Sequence, residues 1–399
     1  MAPEHSYLAF TINIFNILNM WPDERRSCKT LKEYYILVII TLSTFAIVAD
    51  FVLQLYDDDY SFPSLVESII GASALCSVIY ISICFLVKRR EIKRLTDDIG
   101  IFEEYLPPSK IREAEETAKF YTKLFVLYGI VGNVLYSCLP LLSYGECQKN
   151  RSSHMIKYGI PCGPITRYVL PFRHDEFPLA QMVIVEEVFV STLGTTIVMT
   201  LTMLVCGILT HASANLKHLK MLLLDTSHVD GEKITRHTNF CVKYHTAIID
   251  FADRTNDAFS AMMLVHITWT SFIISVLGAE IIMETNYFNA LRYTMHLGGW
   301  LGMLFLVCFY GQILMDHSAD ITTTVYDTKW YEKSPGIRRS LALILLRSQR
   351  PLMLRAGGIN VMSLATFIRV RISEVGSKWK VKVLYSAYSY FTLLLKIKP

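Results

Sequence analysis

The nine cysteines at positions 28, 76, 84, 138, 147, 162, 206, 241 and 308 are the side chains best suited to metal or redox chemistry. None forms a Cys-x-x-Cys pair, and none joins a histidine at metal-ligand spacing. His211, His218, His228, His237 and His245 gather in one polar stretch, but their spacing matches no metal triad and reads as a solvated face. No Gly-rich phosphate loop or nucleophile elbow occurs, so neither an enzyme nor a cofactor site can be read. Asn150-Arg151-Ser152 is an N-glycosylation acceptor triplet of a kind that also arises by chance. Cys147 and Cys162 flank it, and both a disulfide and two free thiols remain open there.

The elements that carry these residues are set by composition. Of 399 residues, 52% are hydrophobic and 19% charged, with a mean hydropathy of +0.35. That is more apolar surface than one aqueous core can hide, so part of it must face lipid. The net charge of +4 is dispersed among loops, which leaves nucleic-acid binding without an electrostatic footprint. A bilayer core about 30 Å thick needs roughly 20 apolar residues in a helix. Seven stretches qualify: Tyr34–Leu55, Leu65–Val87, Phe120–Leu142, Met182–Leu209, Phe259–Met283, Tyr293–Met315 and an interrupted Gly357–Leu395. Near the N-terminus, Tyr7–Met20 is broken by Asn13, Asn16 and Asn19 and has no cleavage site after it, so it reads as retained rather than as a signal peptide. Its Leu8, Ile12, Phe15 and Leu18 recur at helical spacing, which predicts a helix lying on the membrane surface.

Direction follows from Lys and Arg, which are retained on the cytoplasmic side. Residues 1–33, 88–119, 211–257 and 316–356 together carry 25, against eight in the segments on the opposite side. The expected fold is an all-α integral membrane protein of seven transmembrane helices, amino end cytoplasmic and carboxyl end extracellular. Its segments are 1–33 as a cytoplasmic N-terminal stretch, 34–315 as six helices, 316–356 as a cytoplasmic helical anchor built from extended ends of later helices, and 357–399 as the seventh helix. The loop holding Asn150 then lies outside. Asp50, Glu67, Glu186, Glu187 and Glu280 sit near outer span ends, where they read either as a cation-attracting vestibule or as interfacial anchors.

The most specific stretch runs from Tyr326 to Phe391. It contains Tyr326-Asp327-Thr328-Lys329-Trp330-Tyr331, Arg338-Arg339-Ser340-Leu341, Leu346-Arg347-Ser348-Gln349-Arg350-Pro351-Leu352, Ser363-Leu364-Ala365-Thr366-Phe367 and Tyr388-Ser389-Tyr390-Phe391. This resembles the C-terminal signature of insect odorant receptors, and Trp21-Pro22 also fits that family. The resemblance implies an odorant-gated, non-selective cation channel assembled as a heterotetramer with a common co-receptor subunit. It further implies that no G protein is required, that the ligand is a small volatile hydrophobic molecule, and that the chain lies in the plasma membrane of an olfactory sensory neuron dendrite. A gustatory-type receptor of the same topology is the nearest alternative. A small-solute transporter is more distant, since no inverted repeat is visible.

The resemblance also assigns roles. Gly129, Gly132 and Tyr136 share a helical face and are similar to the pattern lining the family's pocket, while Ile69, Ser73, Phe189, His296 and Trp300 are candidates by depth alone. Ordinary helix packing and a satisfied core imidazole are the competing readings. Tyr326, Trp330, Tyr331, Leu341 and Leu345 fall in the expected subunit anchor, where packing inside one chain explains the leucines as well. Leu393 and Ile397, four apart, fall where the family's pore narrows, and lipid-facing residues would look the same.

The seventh span is broken by Arg371, Glu374, Lys378, Lys380 and Lys382 within residues 371–383. Cations at mid-bilayer cost about 2.5–3.5 kcal/mol each on insertion scales. Removing the run joins Phe367-Ile368-Arg369-Val370 to Leu384-Tyr385-Ser386 and restores one helix, the mark of a splice or gene-model extension. The alternative is a re-entrant segment lining water.

Overall fold

The computed structural model describes residues 7–22, 34–56, 62–226, 232–283 and 286–375. Six helices in it are long and apolar enough to cross a membrane: α2 (Tyr35–Tyr56), α3 (Phe62–Asp98), α4 (Pro108–Leu142), α7 (Leu179–Asp225), α8 (Glu232–Met283) and α9 (Tyr287–Asp327). They coincide with the first six apolar stretches. Several overshoot the membrane: α8, with 52 residues, is about 78 Å long at 1.5 Å per residue. The charged ends of α3, α7, α8 and α9 therefore continue as helix beyond the lipid.

Lipid exposure is legible on α4. Leu124, Leu127, Val131 and Leu135 stand exposed along one side, while Ala114, Ala118, Thr122, Val126 and Gly129 are buried against the bundle. An apolar outer stripe of this length suits a helix solvated by hydrocarbon. Several hydroxyls in these spans, among them Thr44, Thr122 and Thr270, donate to carbonyls one turn back and so carry no unmet polarity into the core.

Helix α1 (Ala9–Ile17) forms where the apolar periodicity predicts, but its environment is different. Leu8, Ile12, Phe15 and Leu18 are buried inside the protein, with Phe15 stacked on Phe85 at 4.5 Å. Leu8 reaches Gly207, where a Cβ would collide with it. The apolar face is thus covered by protein rather than lying on the membrane surface. The histidine stretch is corrected as well, because His211 and His245 are buried instead of solvated.

Helix α10 (Pro335–Ser348) packs on α8 and α9 through Ile337, Leu341 and Ile344. Leu341 is 0% exposed and Leu345 half-buried, so both are used within the subunit. Tyr326 and Tyr331 are exposed, as are Leu343 and Leu346, and Trp330 is partly buried.

Residues 357–363 are not helical. Arg355–Ala356 (β1) pairs antiparallel with Asn360–Val361 (β2) around Gly357 and Gly358, whose φ values of 60° and 74° suit glycine. The last described helix, α11, begins at Leu364 and continues through Arg371 to Val375. The remainder of the charged run, together with Leu393 and Ile397, lies outside the described residues.

Candidate ligand pocket

The outer halves of α3, α4, α7 and α9 do not close on one another. Between them lies a mostly apolar cavity of about 210 Å³, smaller than the ~300–1,000 Å³ that drug-sized ligands occupy. Its volume suits a small molecule.

Each wall has a sequence reason. Helix α4 contributes Gly129, Gly132, Asn133 and Tyr136, positions that recur on one face. At Gly129 a Cβ would meet the Met199 thioether, whereas at Gly132 nothing lies within 4 Å, so the first glycine admits a neighbour and the second leaves space. Helix α7 presents Glu186, Glu187, Val190, Gly194 and Met199, and α9 presents Arg292, Tyr293, His296, Trp300 and Met303. Ile70, Gly71, Ala74 and Val78 of α3 complete the floor.

Five sequence candidates therefore line the cavity: Gly129, Gly132, Tyr136, His296 and Trp300. Ile69, Ser73 and Phe189 do not. Ile69 and Ser73 are displaced by one position from Ile70 and Ala74, about 100° around the helix, and Phe189 is 50% exposed on the outer side of α7. Depth in the membrane does not specify which face of a helix points inward.

The loop between α4 and α7 lines the cavity's outer end with Ile165, Thr166 and Tyr168. That loop holds two short helices, α5 (Tyr144–Lys149) and α6 (Ser153–Tyr158), and Cys147 and Cys162 are joined there in a disulfide. Its Ile165 and Thr166 backbone N–H groups donate to the Glu187 carboxylate at 2.7 and 2.6 Å, and the Thr166 hydroxyl donates at 2.5 Å. The Tyr168 hydroxyl donates to Glu186 at 3.0 Å, and burial next to these two carboxylates pushes its phenol well above the usual tyrosine range. Arg151 and Arg173 both donate to Asp175 at 3.1 and 3.2 Å. Burial works against the Asp175 carboxylate, but these two guanidinium groups outweigh it and hold the carboxyl below the ordinary carboxylate range. Ser152 caps α6 by accepting from the Met155 N–H, and the neighbouring Asn150 is exposed.

Polar side chains inside the bundle are paired across long sequence distances. Arg292 donates to Glu67 at 2.5 Å and to the Tyr293 hydroxyl at 3.1 Å, and lies over the Tyr136 ring at 5.7 Å. Asn133 donates to Thr192 at 2.9 Å and to Ser191 at 3.1 Å. Asp50 accepts from Gln54 and Ser68 and meets His154 of α6 at 3.0 Å. The acids at the outer span ends are thus engaged inside the subunit: Glu67, Glu186 and Glu187 belong to the pocket wall, and Asp50 to a buried contact with the outer loop.

Sequence reasoning missed Asn133, although it lies one turn from Gly129 on the face already singled out. It also missed Arg292, which counted as a loop charge, because its partner Glu67 is 225 positions away and leaves no local signal.

Comparison with known proteins agrees with this architecture. A family model described as 7tm Odorant receptor matches residues 62–371, most of the chain. Among curated relatives, Odorant receptor 85b of Drosophila melanogaster is 28% identical over 127 residues, covering 32% of this chain and 33% of its own length. Odorant receptor 22c of the same species is 32% identical over 109 residues, 27% of each. These matched stretches span a third or less of the curated relatives. The solved structure of the insect olfactory receptor OR5 from Machilis hrabei in complex with eugenol superimposes with a TM-score of 0.76 at 15% identity, covering 95% of this chain and 98% of that one. A second structure of the same receptor gives 0.75 at 15% identity over 98% of each chain. Six apolar helices, the outer-half cavity and the span of the family match lead to one conclusion: this multi-pass membrane protein belongs to the insect odorant receptor family.

Proposed function

We propose that this chain is the odorant-binding subunit of a ligand-gated, non-selective cation channel that opens with a co-receptor subunit in a heterotetramer. The observation that carries the reading is the cavity between α3, α4, α7 and α9, walled mainly by apolar side chains and lined at its outer end by the outer loop. Gly132 supplies its space, and Tyr136, His296 and Trp300 supply aromatic surface for a small volatile ligand. The OR5 structure, of the same fold, was solved in complex with eugenol, which supports a small-molecule ligand for this chain. Membership of the odorant receptor family favours this reading over a gustatory-type receptor or a transporter.

In this reading the amino end is cytoplasmic, as the Lys and Arg distribution requires, and the disulfide-bearing loop with Asn150 faces the oxidising exterior, where Asn150 carries a glycan. The exposed Tyr326 and Tyr331, with Trp330, meet neighbouring subunits in the cytoplasm. Leu341 and Leu345 support that surface from within. Leu393 and Ile397 form an apolar gate that dewets when closed. Ligand in the pocket shifts α9 against α7 and opens the pore without a G protein, at the plasma membrane of the sensory dendrite.

Co-expression with the co-receptor, followed by current recording against an odorant panel, is the test. Odorant-evoked cation current that disappears when Gly132 is replaced by Trp supports the assignment, and current indifferent to filling the cavity rejects it. Transcripts sequenced across codons 371–383 and a chain lacking that run decide the seventh span. A full-length chain that conducts as well as the shortened one removes the splicing explanation.

A further inference from the structure

The cavity is not apolar throughout. Arg292 is only 4% exposed, and with its Nη2 committed to Glu67 and Tyr293 its Nε–H has no hydrogen-bond partner among the described residues. One turn further along α9, His296 accepts at Nε2 from the Trp300 indole at 2.9 Å. That bond leaves the proton on Nδ1, and this buried Nδ1 is also without a partner. Both residues line the cavity and flank one ring, with Tyr136 5.2 Å from the His296 imidazole and 5.7 Å from the Arg292 guanidinium.

Buried donors without acceptors are uncommon and unfavourable. Two of them, one helical turn apart on residues of the cavity wall and covered by neighbouring side chains, become a site for an accepting oxygen when a ligand moves those side chains aside. Charge narrows the choice. Glu67 already neutralises Arg292, and Glu186 and Glu187 line the same cavity, so a ligand carboxylate would meet an excess of negative charge. An ammonium would find those two carboxylates already satisfied by Ser43, Tyr168 and Thr166, and would face N–H donors at the Arg292 end.

We propose that the preferred ligand is a neutral carbonyl compound, a ketone, aldehyde or ester on a short apolar chain, whose oxygen accepts from Arg292 and His296. This rests on the reading of the cavity as the odorant site and names the ligand class it takes. Arg292 and His296 are then the specificity residues, while the glycines and apolar walls set only size.

The test uses the full-length chain with its co-receptor and probes of one chain length: octane, methyl hexyl ketone, octanal, octanoic acid and octylamine. Half-maximal concentrations for current are measured, together with thermal stabilisation of the purified chain as a direct binding readout. Burial alone ranks octane first. The site proposed here ranks the ketone and aldehyde first, by about tenfold over octane, the scale of one satisfied buried donor. His296→Phe, which leaves the Glu67–Arg292 pair intact, and the paired change Glu67→Leu with Arg292→Leu, which removes both charges together, each bring that ratio toward one. Equal potency of octane and ketone, a first rank for the acid or the amine, or an unchanged ratio in both variants overturns the carbonyl assignment while leaving the odorant pocket standing. If no probe, octane included, binds or gates the wild-type chain, the pocket reading itself fails along with it.

Discussion

Along α7, every residue from Ile197 to Leu209 is buried, whereas between Val183 and Gly194 only Val183, Glu187, Val190 and Gly194 are. The outer half carries a narrow stripe at spacings of three and four, with cavity and outer loop on one side and exposed Met182, Val185 and Phe189 on the other. The inner half is enclosed on all faces by α1, α3, α4, α8 and α9. One helix therefore serves as a wall outside and as a core inside. The outer half keeps a void and holds its shape with paired polar groups. The inner half also pairs buried polar groups, Tyr244 with Asn215 and His211 with Glu115, but the space around them is filled, and its stability comes from close packing.

The sharpest way to break this contrast is to unpair a charge in the outer half. Glu67→Leu alone strands Arg292 in the bundle and is expected to cost about 3–5 kcal/mol, with most of the loss recovered when Arg292→Leu is added. Thermal unfolding in detergent checks both variants. If the single variant is as stable as the double, the outer half does not depend on its ion pair. In the inner half, Leu341→Ala is expected to cost about 3 kcal/mol through transfer and cavity terms, read by the same assay. Two glycines then compare the regions directly. A Cβ at Gly311 would collide with the backbone carbonyl of Met362, so Gly311→Ala is expected to cost about 1–3 kcal/mol, whereas Gly132→Ala projects into open space and should stay within about 0.5 kcal/mol. Equal effects at the two sites would remove the distinction between wall and core.

The smallest effect concerns the cap. Asp175 titrates below its ordinary value because Arg173 and Arg151 prevail over burial, so its contribution is complete above the unfolded carboxylate pKa of about 3.9 and is lost as the pH falls through the lower folded value. Amide protection factors in residues 151–175, with the intrinsic pH dependence of exchange divided out, should be constant from neutral pH down to about pH 5 and fall only in stronger acid. Asp175→Asn should show the faster exchange already at neutral pH. Loss of wild-type protection beginning near neutrality would assign the cap to a different group.

How much of this was legible in the residues varies with the range of the interaction. Six spans were visible because lipid demands long apolar runs bounded by charge. The Gly129, Gly132 and Tyr136 face was visible because a helix repeats every 3.6 residues. Phe189 was misjudged and Asn133 overlooked because depth was considered without rotation about the helix axis. The turn at Gly357 and Gly358 was read into a span because both residues are compatible with an apolar run, and only the pairing of β1 with β2 shows the chain reversing there.

Local periodicity and the distribution of Lys and Arg were enough to decide that this chain is helical and crosses a membrane, since both depend on neighbours in sequence and on the solvent. Only the tertiary structure decided that Glu67 meets Arg292, that Glu187 holds the outer loop over the cavity and that Arg292 and His296 keep donors in reserve. Those facts depend on which helix and loop faces meet, from 21 positions apart for Thr166 and Glu187 to 225 for Glu67 and Arg292, and packing of the whole bundle sets them.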